Sequence, residues 1–206
     1  MSRFALRQVL LLIAAVTLAG CVQPPANTLS PSERAGLQVS EVAIEFAPDH
    51  TIWWGSAERE YGEANGCSQN SEECDFTAFI ETEEVKSHLR ERVESLVNEL
   101  ASSRLLQLWG GEREVTARVR IKRFYVVSGA QSVLLGGAHS FVADLEIIDP
   151  ENAGVLTRYP DLLGTAGYAP GGLLAVVVEA ASDDASRRIV AEWSNAAVSW
   201  LNQTPE

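Results

Sequence analysis

Positive charge is scarce in this 206-residue chain: 16 Lys and Arg stand against 28 Asp and Glu, a formal net charge of −12. A polyanion of that sign has no electrostatic route to nucleic acid and is repelled by anionic lipid head groups. DNA and RNA binding are therefore excluded, and no basic patch holds the protein to a membrane. The apolar run at residues 9–19 has eleven residues, broken only by Thr17, and is too short to span a bilayer as a stable helix. Catalytic signatures are missing as well. No Gly-x-Ser-x-Gly elbow occurs; Gly129-Ala130-Gln131-Ser132 lacks that pattern, and the lone Ser132 and His139 read as turn residues. Gly110-Gly111 and Gly136-Gly137 lack the lysine of a phosphate loop. Glu72-Glu73 and Glu83-Glu84 are sequence neighbours, which diverge rather than face each other across a scissile bond. Asp49-His50 offers two metal donors without a spaced partner and reads as a turn. No catalytic residue, metal or cofactor is assigned.

What is present begins at the N-terminus. Arg3 and Arg7 precede the apolar run, and Leu18-Ala19-Gly20-Cys21 closes it. A basic start, an apolar stretch of this length and small residues at its end define a secretory leader. The cysteine directly after Leu-Ala-Gly resembles the lipobox of bacterial lipoproteins. That resemblance covers these residues alone. It implies that the Cys21 thiol takes a diacylglycerol, that the chain is cut before it, and that the new N-terminus is acylated, for example with palmitate. Val22, where some lipoproteins have Asp, implies sorting to the outer membrane of a two-membrane cell. The mature part then carries 14 basic and 28 acidic side chains, a net charge near −14. Attachment comes from the acyl chains, each buried methylene contributing about 0.8 kcal/mol. The expected location is the cell envelope, lipid-anchored at the outer membrane and facing the periplasm.

With Cys21 taken by lipid, Cys67 and Cys74 are left in an oxidising compartment, separated by the polar Ser-Gln-Asn-Ser-Glu-Glu. A disulfide between them is expected, worth roughly 2–3 kcal/mol by loop entropy. Zinc is the competitor, and it needs two further ligands where His50, His88 and His139 are scattered singly.

Composition divides the chain into a leader (1–20), a lipidated N-terminus and proline-bearing tether (21–36) and one domain (37–206). Residues 37–46 alternate as a half-buried strand that Pro48 and Asp49 end, and 52–55 form a short apolar plug. Residues 56–77 read as a polar surface excursion pinned by the disulfide. Thr82 caps a helix whose apolar stripe is Val85, Leu89, Val93, Leu96, Val97 and Leu100. A long hairpin follows, and the register that sets Arg120 opposite Glu146, Lys122 opposite Asp144 and Ile121 opposite Leu145 matches charge with charge and aliphatic with aliphatic. Residues 155–159 return as a further strand. Ala185, Ile189, Trp193, Ala196, Ala197 and Trp200 form the stripe of a C-terminal helix, preceded at 172–181 by a helix turn or strand that is apolar but for Glu179. The expected fold is α+β: a two-layer domain, an antiparallel sheet with the long hairpin covered on one face by two helices. This outline resembles small α/β envelope lipoproteins and transport or secretion accessory proteins.

Two stretches, 124–143 and 162–178, contain no formally charged residue. Either they fold back into the core or they form one apolar, glycine-rich patch for a protein partner, another copy of the chain or the membrane. The candidate residues of that patch are Ser132, Val133, Leu134, Leu135, Tyr168, Leu173 and Leu174. The leading functional reading is a non-catalytic envelope lipoprotein assisting assembly or transport through a protein partner or by self-association. The alternative is a binding module for a small apolar or glycan ligand, stacked on Trp53 and Trp54 or gripped near Trp193 and Trp200. An envelope hydrolase is the third reading.

Overall fold

The computed structural model describes residues 24–127, 139–165 and 184–203. In chain order these form α1 (Pro31–Ala35), β1 (Leu37–Trp54), α2 (Gly55–Ala64), α3 (Phe76–Ile80), α4 (Glu83–Val97), β2 (Arg113–Val126), β3 (Ser140–Asp149), β4 (Gly154–Thr165) and α5 (Asp184–Asn202). After Val97, α4 runs on through a π-helical turn (Asn98–Ser102) and a final α turn (Ser103–Leu105). The α+β class stands. The four strands lie in the order β1-β2-β3-β4, with β2-β3 and β3-β4 antiparallel.

One expectation about the sheet is overturned: β1 pairs with β2 in parallel, so the sheet is mixed. A parallel neighbour needs a crossover of a dozen residues or more, and α2 to α4 supply it. The polar stretch after Gly55 stays largely at the surface, as expected, but is partly helical. Cys67 and Cys74 are joined within it, their Cα atoms 5.4 Å apart. Gly62 permits that loop to close: a Cβ there would meet the Cys67 carbonyl at 2.5 Å and the Phe76 ring at 2.7 Å.

The first strand is also longer than alternation alone indicates. It does not stop at Pro48 but bulges over residues 47–50 and resumes, carrying the supposed plug residues Ile52, Trp53 and Trp54 as strand. An edge strand tolerates a proline that a central one does not. The hairpin keeps its expected faces but is offset by two residues: Arg118 lies opposite Glu146, Arg120 opposite Asp144 and Ile121 opposite Ala143. A shift of two preserves which side chains face the core, and opposite charges still meet.

Helix α4 begins as its residues dictate. Thr82 Oγ1 accepts from the Val85 N–H at 3.5 Å, and Glu83 and Glu84 occupy the first turn. Its stripe from Val85 to Val97 is buried, and so are Ala185, Ile189, Trp193, Ala197 and Trp200 of α5. Both helices share one core with Val115, Ala117, Val119 and Ile121 of β2 and Phe141, Ala143, Leu145 and Ile147 of β3. An aromatic chain crosses this core from strand to helix: Trp54–Phe124 at 5.0 Å between centroids, Phe124–Phe141 at 6.1 Å and Phe141–Trp193 at 5.5 Å. Gly164 lets α5 approach β4, since a Cβ there would lie 2.1 Å from the Ile189 carbonyl.

The N-terminal segment is not a tether from residue 25 onward. Trp200 Nε1 donates to the Pro25 carbonyl at 2.7 Å. Asn27 is buried, its amide donating to the carbonyls of Trp200 and Leu201 while its carbonyl oxygen accepts from the Leu29 N–H and the Thr157 hydroxyl. Arg34 donates to the Leu201 carbonyl as well, at 2.8 Å. These are among the last carbonyls of α5, where the Trp200 carbonyl also accepts from the Gln203 N–H, so the chain's beginning helps to cap its final helix. The start of α1 carries a capping box between Ser30 and Glu33, with Pro31 at the first helical position.

Candidate functional site

The face of the sheet away from the helices is open, and its rows run across the strands. After Glu41–Thr116–Ile148–Val155, near the start of β1 and β2, come Ala43–Arg118–Glu146–Arg158 and then Glu45–Arg120–Asp144. Acidic β1 and β3 thus alternate with basic β2 and β4, as cross-strand pairing favours. Arg118 and Arg158 both bind Glu146, and Asp144 receives Lys122 at 2.7 Å, Arg158 at 2.8 Å and the Asp161 N–H at 2.8 Å. Asp144 is only 1% exposed. Burial by itself would raise its pKa; the bonds from Lys122, the Asp161 N–H and Arg158 outweigh that and hold it below the ordinary carboxylate value. Lys122 is shifted up by Asp144 and then by Asp161, to which it also donates at 2.8 Å.

Three irregularities flank one row, Phe46–Ile121–Ala143–Leu162: the bulge at 47–50 in β1, the unpaired Lys122 in β2 and the extra residue around Asp161 in β4. Asp161 has φ of 53°, a left-handed conformation that its carboxylate bond to Lys122 and its N–H bond to Asp144 hold in place. Bulges twist a strand and re-aim its side chains. Here they place two consecutive side chains of β2, Lys122 and Arg123, on the open face.

Beyond this belt the composition of the open face changes. The row Thr51–Arg123–Val142–Leu163 is followed, two residues further, by Trp53–Tyr125–Ser140–Thr165. Leu163 is 50% exposed and Trp53 47%, with the Tyr125 ring edge-on to Trp53 at 5.4 Å. Arg123 lies exposed between them and has no carboxylate partner among the described residues. Thr51, Lys122, Arg123, Val142, Asp161 and Leu163 line a shallow depression of about 370 Å³ here. A larger hollow of about 460 Å³ on the helical side lies among Trp54, His88, Arg92, Glu99 and Arg187. Its charged walls are already engaged: Glu99 with Arg187, and Arg92 with Glu60 and the Trp54 ring. The open-face corner is the better candidate for recognition.

Trp53 and Trp54 do not act together. Adjacent strand residues point to opposite faces, so Trp53 joins the open corner while Trp54, 4% exposed, enters the core. Trp193 and Trp200 are buried core residues rather than walls of a ligand cleft. His50 Nδ1 lies 2.7 Å from the Ala47 carbonyl inside the β1 bulge, and His88 stacks on Tyr61. Among the described residues, no group of three or more metal-binding side chains occurs, and no helix is long and apolar enough to cross a membrane. Cys21 and the patch candidates Ser132, Val133, Leu134, Leu135, Tyr168, Leu173 and Leu174 lie outside the described residues. Arg123, Tyr125, Asp161 and Leu163 are not singled out by sequence reading. The one trace of them is the Lys122-Arg123 pair, which breaks the alternation of β2.

No protein-family model matches the chain, and no curated protein matches it. Among solved structures it is similar to a candidate lipoprotein from Caulobacter crescentus, with 14% identity and a TM-score of 0.30, over 53% of this chain and 83% of that one. The PelC dodecamer from Paraburkholderia phytofirmans gives 13% identity and a TM-score of 0.31, over 86% of this chain and 93% of that one. A second PelC dodecamer from that organism, a single-substitution variant, gives 13% identity and 0.28, over 85% and 94%. At scores this low the likeness carries no conclusion about function.

Proposed function

We propose that the protein is a non-catalytic, lipid-anchored component of the bacterial cell envelope. Cys21 holds it at the outer membrane, facing the periplasm, and it assists assembly or transport by engaging a protein partner. The observation that carries the docking part is the open-face corner, where half-exposed Trp53 and Leu163 flank Arg123. Trp, Tyr and Arg are the residue types in which interface energy concentrates. The complementary partner presents aliphatic or aromatic side chains beside a carboxylate for Arg123. The buried ionisable groups support a non-catalytic reading, because Asp144, Glu146 and Asp149 are spent on ion pairs that join strands. The leader ending in Cys21 supports the location.

A photo-crosslinking residue at Thr51 of the full-length protein in intact cells tests the docking surface. A discrete adduct that disappears in both Trp53→Ala and Arg123→Glu is expected, with folding unchanged in each. An adduct that survives both substitutions removes this surface from the reading.

The exposed Trp53 ring beside the donors of Thr51 and Arg123 favours one second reading, a glycan subsite. Titration of the wild type and Trp53→Phe with soluble envelope oligosaccharides separates the two. A fluorescence change confined to the wild type selects the glycan.

A further inference from the structure

We infer that the acylated protein rides directly on the bilayer, with its β4–α5 flank toward the lipid and its β1 edge away from it. This rests on the acylation of Cys21 proposed above, and adds the geometry. The packed segment begins at Pro25, whose carbonyl accepts from the indole of Trp200. Thr28 bonds the Leu156 carbonyl of β4 at 2.9 Å, which fixes the exit point along that strand and the end of α5. Only three residues lie between Cys21 and Pro25, so the four Cα–Cα steps joining them reach at most about 14 Å. Two consecutive prolines, Pro24 and Pro25, stiffen it. The leash does not lengthen by peeling residues 25–35 from the domain, because withdrawing buried Asn27 strips partners from the carbonyls of Trp200 and Leu201.

Where the chain leaves the domain the composition of the flank agrees, while Arg158 and Asp161 further along β4 are spent on ion pairs. Pro24, Ala26, Thr28, Val155, Asn202 and Gln203 are exposed and uncharged, in a chain whose acidic surplus would repel anionic lipid elsewhere on its surface. The sheet order then sets the opposite side. β1 lies three strand spacings from β4, about 14 Å, and Trp53 stands at the far end of β1. The Trp53 side of the candidate docking corner is thereby turned away from the anchoring bilayer, while its Leu163 side lies on β4.

Probes on single introduced cysteines test this orientation, since acylation and the disulfide occupy the native thiols. The lipidated full-length protein is reconstituted into phosphatidylethanolamine–phosphatidylglycerol vesicles carrying a nitroxide-labelled lipid. Fluorophores are placed at Gln203→Cys and Val155→Cys on the near flank, and at Glu41→Cys and Ser56→Cys on the far side. Quenching several-fold stronger at the near pair is expected, and a long Gly-Ser insertion between Val22 and Gln23 should abolish the difference. Equal quenching at all four sites, in protein of acylated mass, overturns the orientation and leaves the anchor standing. A Cys21→Ser protein that still floats with vesicles at the wild-type level removes the anchor and this inference together.

Discussion

Asn27 donates to the carbonyl of Leu201 at 3.0 Å, so a side chain near the start of the domain closes its last helix. That contact joins residues 174 positions apart, and the same side chain accepts from the Leu29 N–H and the Thr157 hydroxyl. Asn27→Ala leaves the Leu29 N–H and the Thr157 hydroxyl without their acceptor and should cost about 2–4 kcal/mol. A lowered urea midpoint with an unchanged slope is the expected result. A loss too small to measure would mean that the segment does not belong to the cooperative unit.

The Asp144 cluster predicts a pH dependence whose sign follows from the two shifts. A carboxylate with a depressed pKa stabilises the fold above its unfolded value, about 3.9, and that contribution fades as pH falls through the lower folded value. The raised Lys122 contributes fully below its unfolded value of about 10.4, and its share is lost as pH rises through the folded value. Asp144→Asn should cost roughly 1–3 kcal/mol near neutrality, a moderate figure because the heads of Lys122 and Arg158 rehydrate. The stability gap between wild type and variant should narrow below about pH 4. Denaturant titrations at a series of pH values measure it.

Gly164 sets how closely α5 packs. A methyl group there meets the Ile189 carbonyl at 2.1 Å and Trp193 Cβ at 2.7 Å, both backed by rigid helix. Gly164→Ala should destabilise by about 1–3 kcal/mol through overpacking, read as a drop of several degrees in Tm.

The tryptophan pair should divide cleanly. Trp54→Ala empties a core position beneath Arg92 and beside Phe124, and should cost about 3–5 kcal/mol. Trp53→Ala removes a half-exposed ring and should change stability by much less. Equal losses in thermal denaturation would contradict the assignment of the two rings to opposite faces.

Replacing Cys67 and Cys74 together by Ser should cost about 2–3 kcal/mol, the loop entropy of a short ring. The mobility difference between oxidised and reduced protein on a gel should vanish with them. A variant as stable as the wild type would mean that α2 and α3 order the loop without the covalent link.

Alternation and periodicity made much of this readable. The stripe from Val85 to Val97 and that of α5 are buried as their spacing indicates, because an amphipathic helix has one face to hide. The Thr82 cap is likewise local chemistry. Two signals were present and easily passed over: Ser30-Pro31-Ser32-Glu33 is a capping box with proline in place, and it argues against a tether. Lys122-Arg123 interrupts a strict alternation, which is how a bulge shows in a strand. The hairpin offset has a different origin, since charges and aliphatics repeat every second residue and registers two apart satisfy them equally.

By itself, the sequence determined the α+β class, the faces of the strands and helices and the cysteine pair. All of these follow from short-range periodicity or from residues close together in the chain. Tertiary structure alone decided that β1 runs parallel to β2, that Asn27 caps α5, and that Arg123 comes to lie among Thr51, Val142 and Leu163. Those relations join residues from about 19 to 174 positions apart, and they are settled by which strands neighbour each other and by how buried carbonyls find donors.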